Sequence, residues 1–255
     1  MQPHKIVSRD EWIAARRAHL VNEKRLTRLR DQLMAERREL PWVKVDKTYL
    51  FDTPAGQQTL SDLFDGRSQL IVRHIMLGPD WQELCTGCSF GADHVDGALL
   101  HVEHHDVSFV AVSRAPLAKI EGFKKRMGWR FRWVSSFGSD FNYDFNVSFT
   151  ADDKARGTVF YNFETQNYVS DELSGSSVFY KDEAGSLFHT YSVYARGGEG
   201  GLGAYHLLDM TPKGRNENGP YHNLMDWVRL HDRYDEAPDA GGHSVADESA
   251  DCCHS

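Results

Sequence analysis

The sequence predicts an α/β fold: a mostly parallel central sheet flanked by helices, with an N-terminal helical arm and a long insertion. Three observations predict it. The apolar runs 69–77 and 107–113, and the shorter run 131–134, read as buried strands. Helical stretches between them give β, crossover helix, β, crossover helix, β, the pattern of right-handed parallel crossovers. The first strand is followed by Cys85-Thr86-Gly87-Cys88, a cysteine pair at a strand-to-helix junction.

The elements follow in order. Residues 8–39 form one long helix. Ser8-x-x-Glu11 is a capping box, and Trp12, Ala15, Leu20, Leu26, Leu29 and Leu33 recur at loose helical spacing. Arg16, Arg17, Arg28, Arg30 and other basic residues lie between them and read as a solvated face. Pro41 stops the run, so residues 1–41 make a helical arm. Thr48–Phe51 and the turn Thr53-Pro54-Ala55-Gly56 suggest a hairpin. After the strand 69–77 and the cysteine pair, a helix is expected through about residue 104. Pro116 opens the next helix, whose apolar face is Leu117, Ile120, Phe123 and Met127, and Gly128 ends it. Residues 138–175 are polar and aromatic with weak periodicity, which predicts a packed excursion. Residues 177–180 and 187–194 form a hairpin across Asp182-Glu183-Ala184-Gly185. Asn223–His231 reads as helix-like, and the body of the fold spans 42–235. From residue 236 the Pro, Gly, Ala, Ser and Asp content predicts a disordered tail.

Composition narrows the function classes. The 255 residues are 40% hydrophobic and 26% charged, enough for a substantial core. The net charge of -8 argues against a general nucleic-acid surface. No stretch reaches the ~18 apolar residues of a membrane span, and the polar N-terminus shows no secretory signal. A cytoplasmic protein is expected, where a cysteine pair is more often catalytic or metal-binding than structural.

Cys85 and Cys88 therefore carry the argument. A sulfur at a helix N-terminus is favoured as thiolate by free backbone N–H groups and the macrodipole. The second sulfur comes one turn later, within reach of a disulfide. Strand, short loop, C-x-x-C and helix is a thioredoxin-like redox arrangement. Cys85 is the expected nucleophile and Cys88 the resolving thiol. The same cysteines would also serve a thiol peroxidase. A non-catalytic reading stays open: the pair could bind zinc or sense redox state, with His101 and His105, four apart, as further ligands. Two buried, inert cysteines are the plain alternative. No other cofactor is indicated. Asp80 and Trp81 directly precede the pair, His74 lies on the preceding strand, and Arg114 follows the 107–113 strand at the sheet's carboxyl end, where open α/β folds bind ligands. These four are substrate-site candidates. Cys252 and Cys253 in the tail invite a relay role but also suit an ordinary exposed end.

Several segments resemble a known family. They include Gly78-Pro79-Asp80-Trp81, Cys85-Thr86-Gly87-Cys88-Ser89, Val112-Ser113-Arg114-Ala115-Pro116, Trp133 through Asn142, and Leu208 through Arg215. Over residues 5–235 the chain is similar to a bacterial family of unknown function, described as thioredoxin-like predicted dithiol–disulfide oxidoreductases. That family is distantly similar to the alkyl-hydroperoxide-reductase/thiol-specific-antioxidant group. The resemblance implies a thioredoxin-like fold, Cys85 and Cys88 as redox pair, a protein or small-molecule disulfide or a peroxide as substrate, and a cellular thiol as reductant. In one respect the chain departs from the wider thioredoxin pattern. The strand at 177–180 is preceded by Ser174-Gly175-Ser176 where such proteins place a cis-proline facing the dithiol. The long helix and the aromatic insertion could both serve a homodimer interface.

Overall fold

The computed structural model describes residues 4–167 and 170–235; the expected tail from 236, with Cys252 and Cys253, lies outside them. The chain divides into two units, 1–42 and 43 onward. The first is built on α1 (Arg9–Arg38), about 45 Å long at 1.5 Å per residue. Its N-cap is Ser8, whose hydroxyl accepts the Glu11 N–H at 3.2 Å while the Glu11 carboxylate accepts the Ser8 N–H at 2.9 Å. Asp10 and Glu11 in the first turn and Arg37 and Arg38 in the last oppose the helix dipole. None of its residues is buried.

The second unit begins with β1 (Val43–Lys44) and the hairpin β2 (Leu50–Thr53) and β3 (Gly56–Thr59). The hairpin turns at Pro54-Ala55, and Gly56 takes φ +101°, a conformation side chains rarely adopt. Then come β4 (Gln69–His74), α2 (Thr86–Ala92), α3 (Leu99–Glu103), β5 (Val107–Ser113), α4 (Leu117–Met127) and β6 (Arg132–Ser135). The insertion holds α5 (Phe141–Asp144), α6 (Ala151–Arg156) and the hairpin β7 (Thr158–Tyr161) and β8 (Glu164–Asn167). The long hairpin β9 (Gly175–Lys181) and β10 (Leu187–Tyr194) follows, then α7 (Gly203–Leu208).

Among the described residues the main sheet has eight strands in the order β1-β10-β9-β4-β5-β6-β2-β3. The parallel part is its centre, β4 beside β5 and β5 beside β6. Both flanks are antiparallel: β9 on β4 and β10 on one side, β2 on β6 and β3 on the other. A βαβ unit whose first strand is flanked by a later antiparallel hairpin is the thioredoxin-like arrangement. The fold is thus the expected one, with the parallel pairing confined to three strands.

Alternation in β4 separates two cores. Leu70, Val72 and His74 are buried on one face; Ile71 and Arg73 point to the other. The first face packs Val110, Val112, Val134 and Phe179 against Phe51, Phe64, Phe141 and Phe145. On the other face Ala111, Phe131 and Trp133 pack against Leu84 and Cys88 and against Ile120 and Met127 of α4. β5 is buried on both faces near its end, as a central parallel strand must be. The insertion is packed, as its aromatics predict: Val147, Phe149, Val159, Tyr161 and Leu173 gather around Tyr194 of β10.

Three expectations need correction. The helix after the cysteines is not continuous to residue 104; it breaks between α2 and α3. Two carboxylates in the break explain it. Asp93 accepts the Trp129 indole N–H at 2.7 Å and pairs with His231 Nδ1 at 2.6 Å. Asp96 accepts the backbone N–H groups of Arg130 and Phe131 at 2.8 and 2.9 Å. These bonds turn the chain toward the start of β6, and Gly97 eases the bend. The strand 69–77 ends as a ladder at His74, with one further bond from Ile75 N–H to Val112 O at 3.0 Å. Residues 223–231 form a short 3₁₀ turn at Leu224–Asp226, with another at His231–Arg233. Asn223 starts the former by accepting the Met225 N–H at 2.8 Å.

Candidate functional site

The loop from β4 to α2 is held from two sides. The Lys119 ammonium donates to the carbonyls of Pro79 and Trp81 at 2.6 and 2.9 Å. Trp81 folds back over Gly78, where a Cβ would lie 2.9 Å from the indole, so only glycine fits. The loop delivers Cys85 to the N-cap of α2. Its sulfur accepts the Cys88 N–H at 3.3 Å, the N-cap bond in sulfur form. The Cys88 sulfur accepts the Met76 N–H at 3.5 Å. Cys85 is half-buried and Cys88 only 3% exposed. The pair is therefore asymmetric in exposure: one thiol is partly open, the other buried.

The Cys85 sulfur beside it pulls the Cys88 thiol below its ordinary value; Arg73 and the Met76 N–H pull the same way. Burial and the charge of Glu172 push it up. Glu172 is itself 1% exposed and bridges elements: Arg114 Nε donates to it at 2.6 Å and the Ser148 hydroxyl at 2.6 Å. Burial pushes its carboxyl up to about 7, against the Arg114 charge and the Ser148 hydroxyl.

A cavity opens over the dithiol. Arg73, Met76, Cys85, Cys88 and Ser174 form its floor. The wall is the stretch 195–225, including Glu199, Tyr205, His222 and Leu224. Leu224 sits on the C-x-x-C loop, 3.3 Å from where a Cβ on Gly87 would be. Arg215 ties this wall together. It bonds Asp209 twice at 2.8 Å and Glu199 at 2.9 Å, and stacks over the Tyr205 ring at 4.0 Å. His94 anchors α7 to α2 by accepting the Ala204 N–H at 3.0 Å.

The other sequence candidates are placed apart. Asp80, Trp81 and Arg114 come together in a second depression with Tyr143 and Lys154. There Arg114 is held by Glu172 and by the Tyr143 hydroxyl. His74 is 1% exposed and faces the opposite core, stacked 5.6 Å from Phe141. Its Nε2 meets the Ser177 hydroxyl at 3.0 Å, which meets Ser192 at 2.9 Å, which meets His189 at 2.8 Å. Burial pushes the His74 imidazole down to about 3, so it stays neutral. His101 and His105 are exposed and do not line the dithiol cavity. Among the described residues no three His, Cys, Asp or Glu side chains come together as a metal-ligand set.

Residue-by-residue reading of the sequence missed Arg73, Ser174 and Glu172, and of the 195–225 wall it marks only Arg196 and Arg215, which flank Gly-rich loops. Arg73 left a signal: a cation near the carboxyl end of a largely apolar strand, the last strand before the cysteines. Ser174 stands at the front of β9, where the missing proline drew notice. Glu172 and Leu224 left none, because only the folded chain brings them to the pair.

A family model covers residues 1–234. The chain belongs to the family described as "Bacterial protein of unknown function (DUF899)". No curated protein matches it. Solved structures to which it is similar include the peroxidoxin BcpB from Mycobacterium tuberculosis, 13% identical, with 64% of this chain and 94% of that chain covered and a TM-score of 0.44. Another is PrxQ from Xylella fastidiosa, 12% identical, covering 62% and 88%, TM-score 0.38. A third is the mitochondrial 2-Cys peroxiredoxin of Plasmodium falciparum, 14% identical, covering 60% and 79%, TM-score 0.36. At this level of overlap it is the strand order that identifies the fold. Among the described residues no helix is long and apolar enough to cross a membrane.

Proposed function

We propose that this chain is a thiol–disulfide oxidoreductase working through Cys85 and Cys88. The observation that carries the reading is the asymmetry of the pair at the cavity they both line: Cys85 caps α2 and is partly exposed, while Cys88 is buried with its N–H on the Cys85 sulfur. Accessibility assigns the first attack to Cys85. Its thiolate attacks one sulfur of a substrate disulfide, forms a mixed disulfide and expels the other half as a thiolate. The Cys88 thiolate then attacks the Cys85 sulfur, closes the Cys85–Cys88 disulfide and releases the second half as a thiolate. The substrate gains two electrons and the dithiol loses them. A cellular thiol, by two exchanges of the same kind, reduces the pair again. The Glu172 charge opposes loss of the Cys88 proton.

The test is a redox titration of the full chain with Cys252 and Cys253 changed to Ser, read by alkylation and mass spectrometry. A reversible two-electron transition that links Cys85 to Cys88 supports the reading. It should vanish in Cys85→Ser without loss of fold, because serine is a better N-cap than cysteine. Absence of any transition in the parent protein sinks it. A pair oxidised readily by hydroperoxide but not by disulfides would convert the reading to a peroxidase.

A further inference from the structure

Most charges around the dithiol cavity neutralise one another. Glu199 is held by Arg196 at 2.9 Å and by Arg215 at 2.9 Å. Glu217 is engaged by the Tyr205 hydroxyl. Arg73 differs. Among the described residues it makes no ion pair, and the protein partner of its guanidinium is the Ser176 hydroxyl at 3.3 Å. Its head group lies between two backbone segments. A Cβ on Gly91 would stand 3.1 Å from one terminal nitrogen, and a Cβ on Gly198 3.2 Å from the other. Two glycines thus leave the room that this guanidinium fills. The charge is felt at Cys88, whose thiol it pulls down. Arg73 is half-buried, on a strand rather than a mobile loop.

A half-buried guanidinium without a carboxylate is an incomplete ion pair. Its planar fork suits carboxylates, and the low-dielectric wall strengthens the attraction. We propose that Arg73 is an anion subsite of the dithiol cavity, and that the disulfide it receives carries a carboxylate close to the reacting sulfur. A substrate so held presents its sulfur to Cys85. The proposal deepens the oxidoreductase reading and rests on it for the chemistry, but the subsite itself requires only that Cys85 can be reached.

The experiment compares two alkylating probes of similar size, anionic iodoacetate and neutral iodoacetamide. The protein is the reduced full chain with Cys252 and Cys253 changed to Ser, at low salt. The rate of Cys85 labelling by each is read by mass spectrometry. The iodoacetate-to-iodoacetamide ratio is divided by that of free cysteine at the same pH. A shift in thiol pKa moves both rates together and leaves this ratio alone. The ratio should be about tenfold above one, the effect of one screened unit charge a few ångströms away. Arg73→Met should bring it near one, and Arg73→Lys should retain part of it. The proposal is overturned by a wild-type ratio at or below one, by a raised ratio that survives Arg73→Met, or by a Cys85 inert to both reagents. If Arg73→Met fails to fold by circular dichroism, salt decides. A wild-type ratio that falls toward one in ~1 M salt supports the subsite, and a ratio indifferent to salt overturns it. A raised ratio without a reversible Cys85–Cys88 disulfide would leave the subsite standing and remove the oxidoreductase. A reversible disulfide with a flat ratio would do the reverse.

Discussion

Replacing Glu172 by Gln removes a buried carboxyl that titrates near neutrality and keeps its shape. In the folded protein this group holds its proton up to about 7, against an ordinary value of 4.5. The folded state therefore binds more protons than the unfolded one in that window, and stability falls as pH rises through it. Between pH 5 and pH 8, linkage with these two values gives a loss of about 2 to 3 kcal/mol from this residue alone. His74 works in the opposite direction. Its imidazole stays neutral in the fold down to about 3, so stability is lost as pH falls below the ordinary histidine range. That contribution is common to both proteins and cancels in the comparison. Urea unfolding of wild type and Glu172→Gln at pH 5, 6, 7 and 8 measures the difference. The variant should carry a constant offset from the weakened Arg114 contact, and the gap should shift by about 2 to 3 kcal/mol in its favour by pH 8. Parallel pH curves would show that Arg114 and Ser148 hold the carboxylate at its ordinary value despite burial. The variant also bears on the dithiol. Without the Glu172 charge the Cys88 thiol should ionise at lower pH, and the pH profile of Cys85–Cys88 oxidation should move down.

Two further substitutions probe the frame around the site. Ser177→Ala removes the hydroxyl between His74 and Ser192 and leaves a buried imidazole whose Nδ1 already lacks a partner. It should cost about 1 to 3 kcal/mol in urea unfolding, and a change below ~0.5 kcal/mol would show that the His74 bond carries no stability. Gly175→Ala places a Cβ 2.6 Å from the Tyr194 ring, which cannot yield because its hydroxyl is bonded to Phe145 O at 3.0 Å. A loss of about 1 to 3 kcal/mol is expected, with weaker hydrogen-exchange protection at the start of β9. Wild-type stability would show that the Tyr194 ring moves freely.

The elements legible in the sequence are those whose cause is local. The capping box at Ser8 and Glu11 placed the start of α1, and the apolar runs placed β4 and β5. Cys85 and Cys88 at the end of a buried strand placed the dithiol at a helix N-cap. What failed has a distant cause. No pattern within 86–104 foretells that Asp93 and Asp96 will bind residues 129–131 and break the helix. His74 follows the commoner rule for a histidine on a buried strand and is a hydrogen-bonded core residue: the period-2 alternation of β4 sends it to the other face and sends Arg73 toward the cysteines.

The same logic explains why the chemistry of the pair was only half readable. Within the C-x-x-C the Cys85 sulfur acts most strongly on the Cys88 thiol, but burial and charges brought from elsewhere act on it too. Arg73 comes from the strand before the motif, Glu172 from the end of the insertion, and the cover over Gly87 from Leu224, far along the chain. The Thr86-Gly87 pair between the cysteines is neutral, so the loop itself sets no direction. One arginine pulls the Cys88 thiol down and one buried acid pushes it up, and that acid titrates within the physiological range. The redox behaviour of this site should therefore depend on pH through a residue that the motif does not contain. A potential measured for Glu172→Gln that follows the wild-type pH dependence through pH 6 to 8 would separate Glu172 from the dithiol.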